Sequence, residues 1–151
     1  MLRGTGFSIS GAAASATAVM VNGNTLFTIA GGPIEILQLQ SVCISANNGT
    51  ASTLQYQSTP TVGTATTISG ASASLANAAA GDTVTLNATA LSTAPDLVAT
   101  TSGGVQLGAA VANRIVIQAG TIKAVIGVGS TTGTWKHYIS YRPLAPGVTV
   151  S

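Results

Sequence analysis

The stretch Arg114–Leu144, RIVIQAGTIKAVIGVGSTTGTWKHYISYRPL, decides the fold of this chain. It contains three runs, 114–118, 121–128 and 134–141, in which apolar side chains alternate with others, and glycine turns separate the runs. A period of two residues is typical of a β-strand with one buried face. The residues predicted to share a face are Ile122, Ala124, Ile126 and Val128 in the second run, and Trp135, His137, Ile139 and Tyr141 in the third. Because the only tryptophan, two of the three tyrosines and several Ile and Val residues lie here, we predict that this stretch forms the centre of a β-sheet fold.

The rest of the chain adds short strand patterns between Gly, Asn and Pro turns. Asn22-Gly23 is typical of a two-residue hairpin turn and predicts that Ala16–Val21 pairs with Thr25–Ile29. In the run Ile34–Ala46 the alternation slips twice, once after position 36 and again after position 39, and a β-bulge near Ile36–Leu37 is predicted to absorb the first slip. No segment shows the sustained period of a helix. Roughly eight to ten strands predict an all-β fold, either an antiparallel β-sandwich or a jelly-roll-like barrel, with minimal helix.

The chain of 151 residues suits a single β domain with its own core. Residues 1–12 lack the compact apolar run of a signal peptide and are predicted to form an N-terminal arm. Residues 143–151, which begin with a proline, are predicted to form a C-terminal tail. Residues 58–81 are mostly Ala, Ser, Thr and Gly, and two interpretations stay open for them. They form either a solvated loop with one weak strand or a flexible surface lobe that orders on a partner.

The chain is unusually poor in charge. Charged residues make up 5% of it, against about 25% in an average globular protein. The five basic residues are scattered rather than clustered on one face, which argues against direct binding of nucleic acid. No run approaches the roughly 18 apolar residues of a membrane helix. A surface of Thr, Ser, Asn, Gln and Ala suits large contacts with other proteins that tolerate salt, although a secreted domain with a hydroxyl-rich surface has the same composition.

Titratable groups are too few for the usual catalytic arrangements. The acids are Glu35, Asp82 and Asp96, and there is one histidine, His137. Since His137 lies in an apolar-alternating run, a packed or interface histidine is favoured over a catalytic one. The single cysteine, Cys43, allows no intramolecular disulfide and fits a small buried side chain. We therefore predict a protein that is not an enzyme, with no catalytic residue, no metal site and no cofactor.

The ending Gly133–Gly147, GTWKHYISYRPLAPG, resembles the closing strand of small virion proteins of tailed bacteriophages. In those proteins an aromatic-rich strand ends in a Y-x-P-L-like segment. The upstream run TIKAVIGVG, the low charge and the Ala/Thr/Gly-rich middle are similar too. The resemblance is to head decoration (cement) proteins and related capsid-associated β modules. It covers Gly133–Gly147 by motif and the rest by composition, and the Ala/Ser-rich middle departs from it.

The resemblance implies a virion protein that decorates and stabilises an icosahedral bacteriophage capsid from the outside, after synthesis in the host cytoplasm. It would bridge subunits of the major capsid protein as a homo-oligomer, a trimer or dimer, without contacting nucleic acid or membrane. The candidate residues for the capsid or subunit interface are Leu2, Arg3, Phe7, Arg142 and Leu144. Two alternatives stay open: another virion component, such as a tail or fibre module, and a secreted β-sandwich adhesin or carbohydrate-binding module.

Overall fold

The computed structural model describes residues 10–102 and 114–151. These residues form twelve strands and one short 3-10 helix, Thr100–Ser102. The strands are β1 (Gly11–Ala14), β2 (Ala18–Val19), β3 (Thr25–Ala30), β4 (Ile34–Cys43), β5 (Thr53–Pro60), β6 (Thr66–Thr67), β7 (Thr83–Thr85), β8 (Asp96–Val98), β9 (Ile115–Ile117), β10 (Gly120–Gly127), β11 (Thr134–Pro143) and β12 (Thr149–Val150). In this part of the chain, no helix has the length and apolar character needed to cross a membrane.

The strands form two antiparallel sheets. The seven-stranded sheet has the order β1-β11-β4-β7-β8, and β2 and β9 pair in addition with β11 and β4. The five-stranded sheet has the order β12-β3-β10-β5-β6. Apolar side chains from both sheets meet in one buried core. The predicted all-β fold with minimal helix is therefore confirmed, in its antiparallel β-sandwich form.

The stretch Arg114–Leu144 supplies a central strand to each sheet. β11 lies between β1 and β4 in the seven-stranded sheet, and β10 lies between β3 and β5 in the other. Their predicted inner faces are buried, with Trp135 and Ile122 both 0% exposed. Val128 is the exception, because β10 ends at Gly127 and the side chain of Val128 is exposed in the following turn. The prediction that this stretch lies at the centre of the fold is confirmed.

The predicted β-bulge is present in β4. Ile36 pairs with Tyr141 and Gln38 pairs with Ser140, so Leu37 is the extra residue. The side chain of Leu37 is exposed, whereas that of Ile36 is buried. Because of the extra residue, the buried apolar positions of β4 change from even to odd numbers, and β11 keeps its alternation unbroken. The second slip that the alternation suggested, after position 39, is absent, since residues 39, 41 and 43 are all buried.

The Asn22-Gly23 turn is present, but it does not form a hairpin. Gly23 has the positive φ of 86° that such a turn needs. However, β2 pairs with β11, whereas β3 pairs with β10 and β12 in the other sheet. The turn thus carries the chain from one sheet to the other, and the predicted pairing was wrong. A turn dipeptide determines the local backbone, whereas the partner strand is determined by which side chains the core buries.

Much of the Ala/Ser-rich segment 58–81 packs against β5. The hydroxyl oxygens of Ser69 and Ser72 accept hydrogen bonds from the backbone N–H groups of Tyr56 and Leu54, each at 2.9 Å. These hydroxyls replace backbone acceptors beside β5. The weak strand predicted here is β6, and residues 61–66 are exposed as a loop would be. Residues 68–78 form neither a solvated loop nor a separate lobe, because every large apolar side chain among them is buried.

Parts of the predicted arm and tail belong to the sheets. Gly11 and Ala12, the last two residues of the arm 1–12, lie in β1 and pair with β11. In the tail 143–151, residues 149–150 form β12. Ser151 then exchanges two backbone hydrogen bonds with Thr28, at 2.7 and 3.0 Å. The last three residues of the predicted tail therefore form an edge of the five-stranded sheet.

Candidate functional site

The residues predicted for an interface are described only in part. Leu2, Arg3 and Phe7 lie outside the described residues. Arg142 is on β11, and Leu144 follows directly after that strand with 41% of its surface exposed. The backbone N–H of Leu144 donates to the carbonyl oxygen of Pro33 at 3.0 Å, which holds this residue at the start of β4. The structure thus brings Arg142 and Leu144 together at one end of the sandwich.

Arg142 belongs to a charge cluster with Glu35 and Arg114, which the sequence did not predict. Arg142 Nη1 lies 3.0 Å from Glu35 Oε2, and Arg114 Nε lies 3.3 Å from Glu35 Oε1. Arg142 and Glu35 are cross-strand partners, and Arg114 precedes β9, which pairs with β4 on its other side. The Glu35 side chain is only 7% exposed. Two guanidinium groups share one carboxylate, so the charge cluster presents a net positive charge to solvent.

A cleft opens beside Arg114, where the two sheets separate. It has a volume of about 540 Å³, and its walls come from β5, β6, β9 and the residues after β7. Its main apolar walls are Pro60, Ile68, Leu91, Ile115 and Ile117. Among the described residues that line it, Arg114 is the only titratable one. The cleft therefore offers apolar surface and one cation, and no pair of groups that could exchange a proton.

The outer face of the seven-stranded sheet, the side turned away from the five-stranded sheet, carries several exposed apolar side chains. These are Val19, Ile44, Val116 and Tyr138, each 39–51% exposed. Val19 pairs with Thr134, whose carbonyl oxygen also accepts from the N–H of Ile44 at 2.8 Å, so the three form one row across the sheet. Tyr138 lies under a cation, because the Lys136 ammonium is 5.6 Å from the centre of its ring. The same face also carries the charged side chains of Glu35, Asp96, Arg114, Lys136 and Arg142.

Three buried polar side chains join the two sheets. Tyr56 on β5 donates its hydroxyl proton to the Val84 carbonyl oxygen at 3.1 Å, and its oxygen lies 2.8 Å from Ser41 Oγ. Ser41 Oγ lies 2.7 Å from His137 Nδ1. Since Tyr56 has already used its proton, Ser41 must donate to Tyr56, and His137 Nδ1–H must then donate to Ser41. In this polar cluster, defined as Ser41, Tyr56 and His137, both hydroxyl groups and Nδ1 of the imidazole thereby have partners.

The polar cluster has a structural rather than a nucleophilic arrangement. Burial lowers the pKa of His137 from its ordinary 6.5 to about 4, so the imidazole is neutral near pH 7. Burial also raises the pKa of the Tyr56 phenol. Because Nδ1 of His137 carries the proton, it cannot take one from Ser41, whose hydroxyl is fully buried. His137 is the packed histidine that the alternation predicted.

The surroundings of Asp82 and Cys43 also indicate structural roles. The Asp82 carboxylate accepts hydrogen bonds from the N–H of Ala79 at 2.9 Å and from the N–H and hydroxyl of Thr100 at 2.6 and 2.9 Å. Burial alone would raise the pKa of Asp82, but these hydrogen bonds lower it. Cys43 is 1% exposed, as predicted, and burial raises the pKa of its thiol. Within residues 10–102 and 114–151, no three His, Cys, Asp or Glu side chains form a group that could hold a metal ion.

Comparison of the chain with known protein families, with curated proteins and with solved structures found no match. The functional inference therefore rests on the surfaces and clusters described above and on the resemblance of the chain's ending. Among the residues of the charge cluster, Glu35 could have been singled out from the sequence, because an acid in an apolar strand needs a cationic partner. Its two partners lie 79 and 107 positions away in the chain, and only the strand pairing shows them.

Proposed function

We propose that this protein is a bacteriophage capsid decoration protein, which binds the outside of an icosahedral shell and bridges subunits of the major capsid protein. The observation that carries the proposal is the outer face of the seven-stranded sheet. There, exposed Val and Tyr side chains stand among Thr, Ser, Gln and Ala and beside the charged side chains of Lys136, Arg142 and Glu35. Exposed apolar side chains surrounded by polar ones mark protein interaction sites. The resemblance of Gly133–Gly147 to the closing strand of decoration proteins supports the same assignment.

The physical properties of the outer face suit attachment to a repeated shell. A stable protein–protein contact covers about 800 Å² on each partner, and an extended sheet face supplies a surface of that kind. Each contact need not be strong, because symmetric copies and oligomer formation raise the effective affinity. We propose a trimer or dimer for this reason. The end that carries Arg142 and Leu144 is a candidate attachment point, since β1 also begins there, with Gly11 opposite Tyr141.

The occupancy of purified capsids tests this proposal. We expect the wild-type protein to saturate shells that lack it, and Tyr138→Asp on the outer face to lower the affinity by about tenfold or more. Val62→Asp is the matched control, because Val62 is 89% exposed in the turn after β5, away from the outer face. Binding of Tyr138→Asp as tight as that of wild type would remove the outer face from the proposal.

Two further results of the same assay bear on the assignment. Deleting residues 1–9, which leaves β1 intact, tests Leu2, Arg3 and Phe7, and a loss of occupancy would support their role. Wild-type protein that binds no shell would overturn the proposal. Attachment to isolated tails instead of heads would move the protein to the tail or fibre alternative.

A further inference from the structure

Three described segments without a charged residue meet at the end of the sandwich opposite the charge cluster. We call it the uncharged end, formed by residues 19–24, 44–53 and 127–134, none of which is Asp, Glu, Lys, Arg or His. Backbone hydrogen bonds join these segments: the N–H of Thr131 donates to Met20 O at 3.0 Å, and the N–H of Ile44 donates to Thr134 O. The large apolar side chains exposed there are Val19, Val21, Ile44 and Val128.

Val128 is the most unusual residue of the uncharged end. It has a φ of 71°, in the left-handed region, and its side chain is 79% exposed. A β-branched residue is strained there, since its Cβ crowds the backbone, whereas glycine is not. Because the side chain is exposed, its packing contributes little stability that could offset this strain. Neither the stability nor the solubility of the isolated domain explains a valine at this position, and strained residues concentrate where proteins bind or react.

The turn that carries Val128 is held firmly by its surroundings. Ser52 donates its hydroxyl to the carbonyl oxygen of Gly129 at 2.8 Å, directly after Val128. On the other side, the side-chain oxygen of Asn22 accepts from the N–H of Ile126 at 3.1 Å. The valine side chain therefore projects from a fixed backbone. A projection that is already ordered loses little conformational entropy on binding, which favours affinity.

We propose that the uncharged end is a docking site in which Val128 inserts into an apolar, uncharged socket on a protein partner. The inference rests on the proposed function, so the partner is a subunit of the capsid shell. β11 runs for ten residues from the uncharged end to the charge cluster, which separates the two ends by about 30 Å. A protein that bridges two subunits needs two attachment points, and Val128 supplies the one that is far from Arg142 and Leu144.

The absence of charge defines the chemistry of the socket. A charged group buried against this end would lose its water without gaining an ion partner from residues 19–24, 44–53 or 127–134, which is costly. The partner surface is therefore lined by aliphatic or aromatic side chains and by satisfied backbone groups. Contact at this end should form equally well at low and at high salt.

Two variants of Val128 test the inference, with stability and capsid occupancy measured on the full chain. Val128→Gly relaxes the strained backbone and removes the side chain, and Val128→Asn keeps a side chain that tolerates positive φ. We expect both to unfold at the same urea concentration as wild type or a higher one. Both should bind shells about tenfold more weakly. Val62→Asn is the matched control, since Val62 is exposed but has no positive φ, and it should bind as wild type does.

The outcomes separate this inference from the proposed function. If wild type binds shells and both Val128 variants bind equally well, the docking role of Val128 is overturned while the proposed function stands. If wild type binds no shell, the proposed function itself fails. A lower urea midpoint for Val128→Gly would overturn the strain argument. A change in the oligomer mass of the Val128 variants on size exclusion would show that a second copy, and not the shell, occupies this end.

Discussion

The hydroxyl of Tyr56 crosses the core from the five-stranded sheet to the seven-stranded one. It links Ser41, and through it His137, to the Val84 carbonyl, and all of these groups are removed from water. A buried polar group without a partner costs more than the bond itself contributes. A cluster whose buried hydroxyl groups are all paired therefore favours one alignment of the two sheets over other packings of the same apolar residues.

Removing the Tyr56 hydroxyl should destabilise the domain. In Tyr56→Phe the proton of Ser41 loses its acceptor, while the ring still fills the same space. We expect a loss of about 1–3 kcal/mol in the free energy of unfolding, measured by urea denaturation. The matched control is Tyr138→Phe, at an exposed tyrosine of the outer face, which should change stability by less than about 0.5 kcal/mol. Equal stability of both variants would show that the polar cluster contributes nothing.

The buried His137 should make the fold sensitive to mild acid. Its pKa is lowered to about 4 in the folded protein, and returns to about 6.5 on unfolding. Below about pH 6.5 the unfolded chain binds a proton that the folded protein does not, so stability falls as the pH falls, until about pH 4. Urea denaturation should give a free energy of unfolding roughly 2 kcal/mol lower at about pH 5 than at about pH 7.

The loss of stability that comes from protonating Asp82 should occur in a separate pH range. Its pKa is lowered in the folded protein, so its contribution to stability is lost only at more acidic pH than that of His137. The two effects can therefore be distinguished. Between about pH 6.5 and about pH 5, only the titration of His137 lowers the free energy of unfolding. Stability that stays level over that range would contradict the assigned burial and neutral state of His137.

At the scale of elements, the bulge in β4 can be tested by deletion. Removing Leu37 leaves Ile36 facing inward and Gln38 facing outward, as in a regular strand, so the register with β11 is kept. We expect this deletion to fold, with a loss of about 2 kcal/mol or less. Removing Gln40 instead shifts one side of β4 by a residue and turns buried side chains outward.

The deletion of Gln40 is thus the matched control, and it should yield no folded protein. Soluble expression and the near-ultraviolet circular dichroism of Trp135, which is fully buried, measure both outcomes. If the two deletions behaved alike, the extra residue at Leu37 would not be what sets the register between β4 and β11.

The elements also show which features of the fold could be predicted from the sequence. The strands of Arg114–Leu144 and the bulge at Leu37 were predictable, because alternation reports directly which face of a strand is buried. The hairpin at Asn22-Gly23 was not, since a turn signal does not determine which strand the chain joins next. The packing of Ser69 and Ser72 against β5 was missed as well. Serine has no strong preference for burial, and only its hydrogen bonds to the backbone of β5 reveal it.

The features of the candidate site also divide into those that the sequence predicted and those that it did not. Arg142 and Leu144 were proposed from the chain's ending, and they lie together near Pro33. The charge cluster that holds Arg142 depends on pairing between distant strands, which no local pattern predicts. The exposure and backbone strain of Val128 were missed because the alternation of β10 continues to that position in the sequence, whereas the strand ends one residue earlier.

For the whole molecule, the two ends differ in charge, and this difference predicts how binding to a shell depends on salt. Contact by the uncharged end forms no ion pair, because residues 19–24, 44–53 and 127–134 include no charged side chain. The dissociation constant should therefore change by less than about threefold between about 0.1 M and about 0.5 M salt. Titration of capsids with labelled protein in both buffers measures this. A much steeper dependence would assign the binding to the net positive charge cluster.

The outermost strands of the five-stranded sheet, β6 and β12, have only two residues each. Such short strands expose few unpaired backbone groups, which are the template for pairing between molecules into fibrils. A sheet built mainly of small, uncharged β-forming residues is otherwise at risk of aggregation when many copies are crowded together. The two short edge strands should therefore limit edge-to-edge pairing between copies of this sheet, even when many copies are concentrated together.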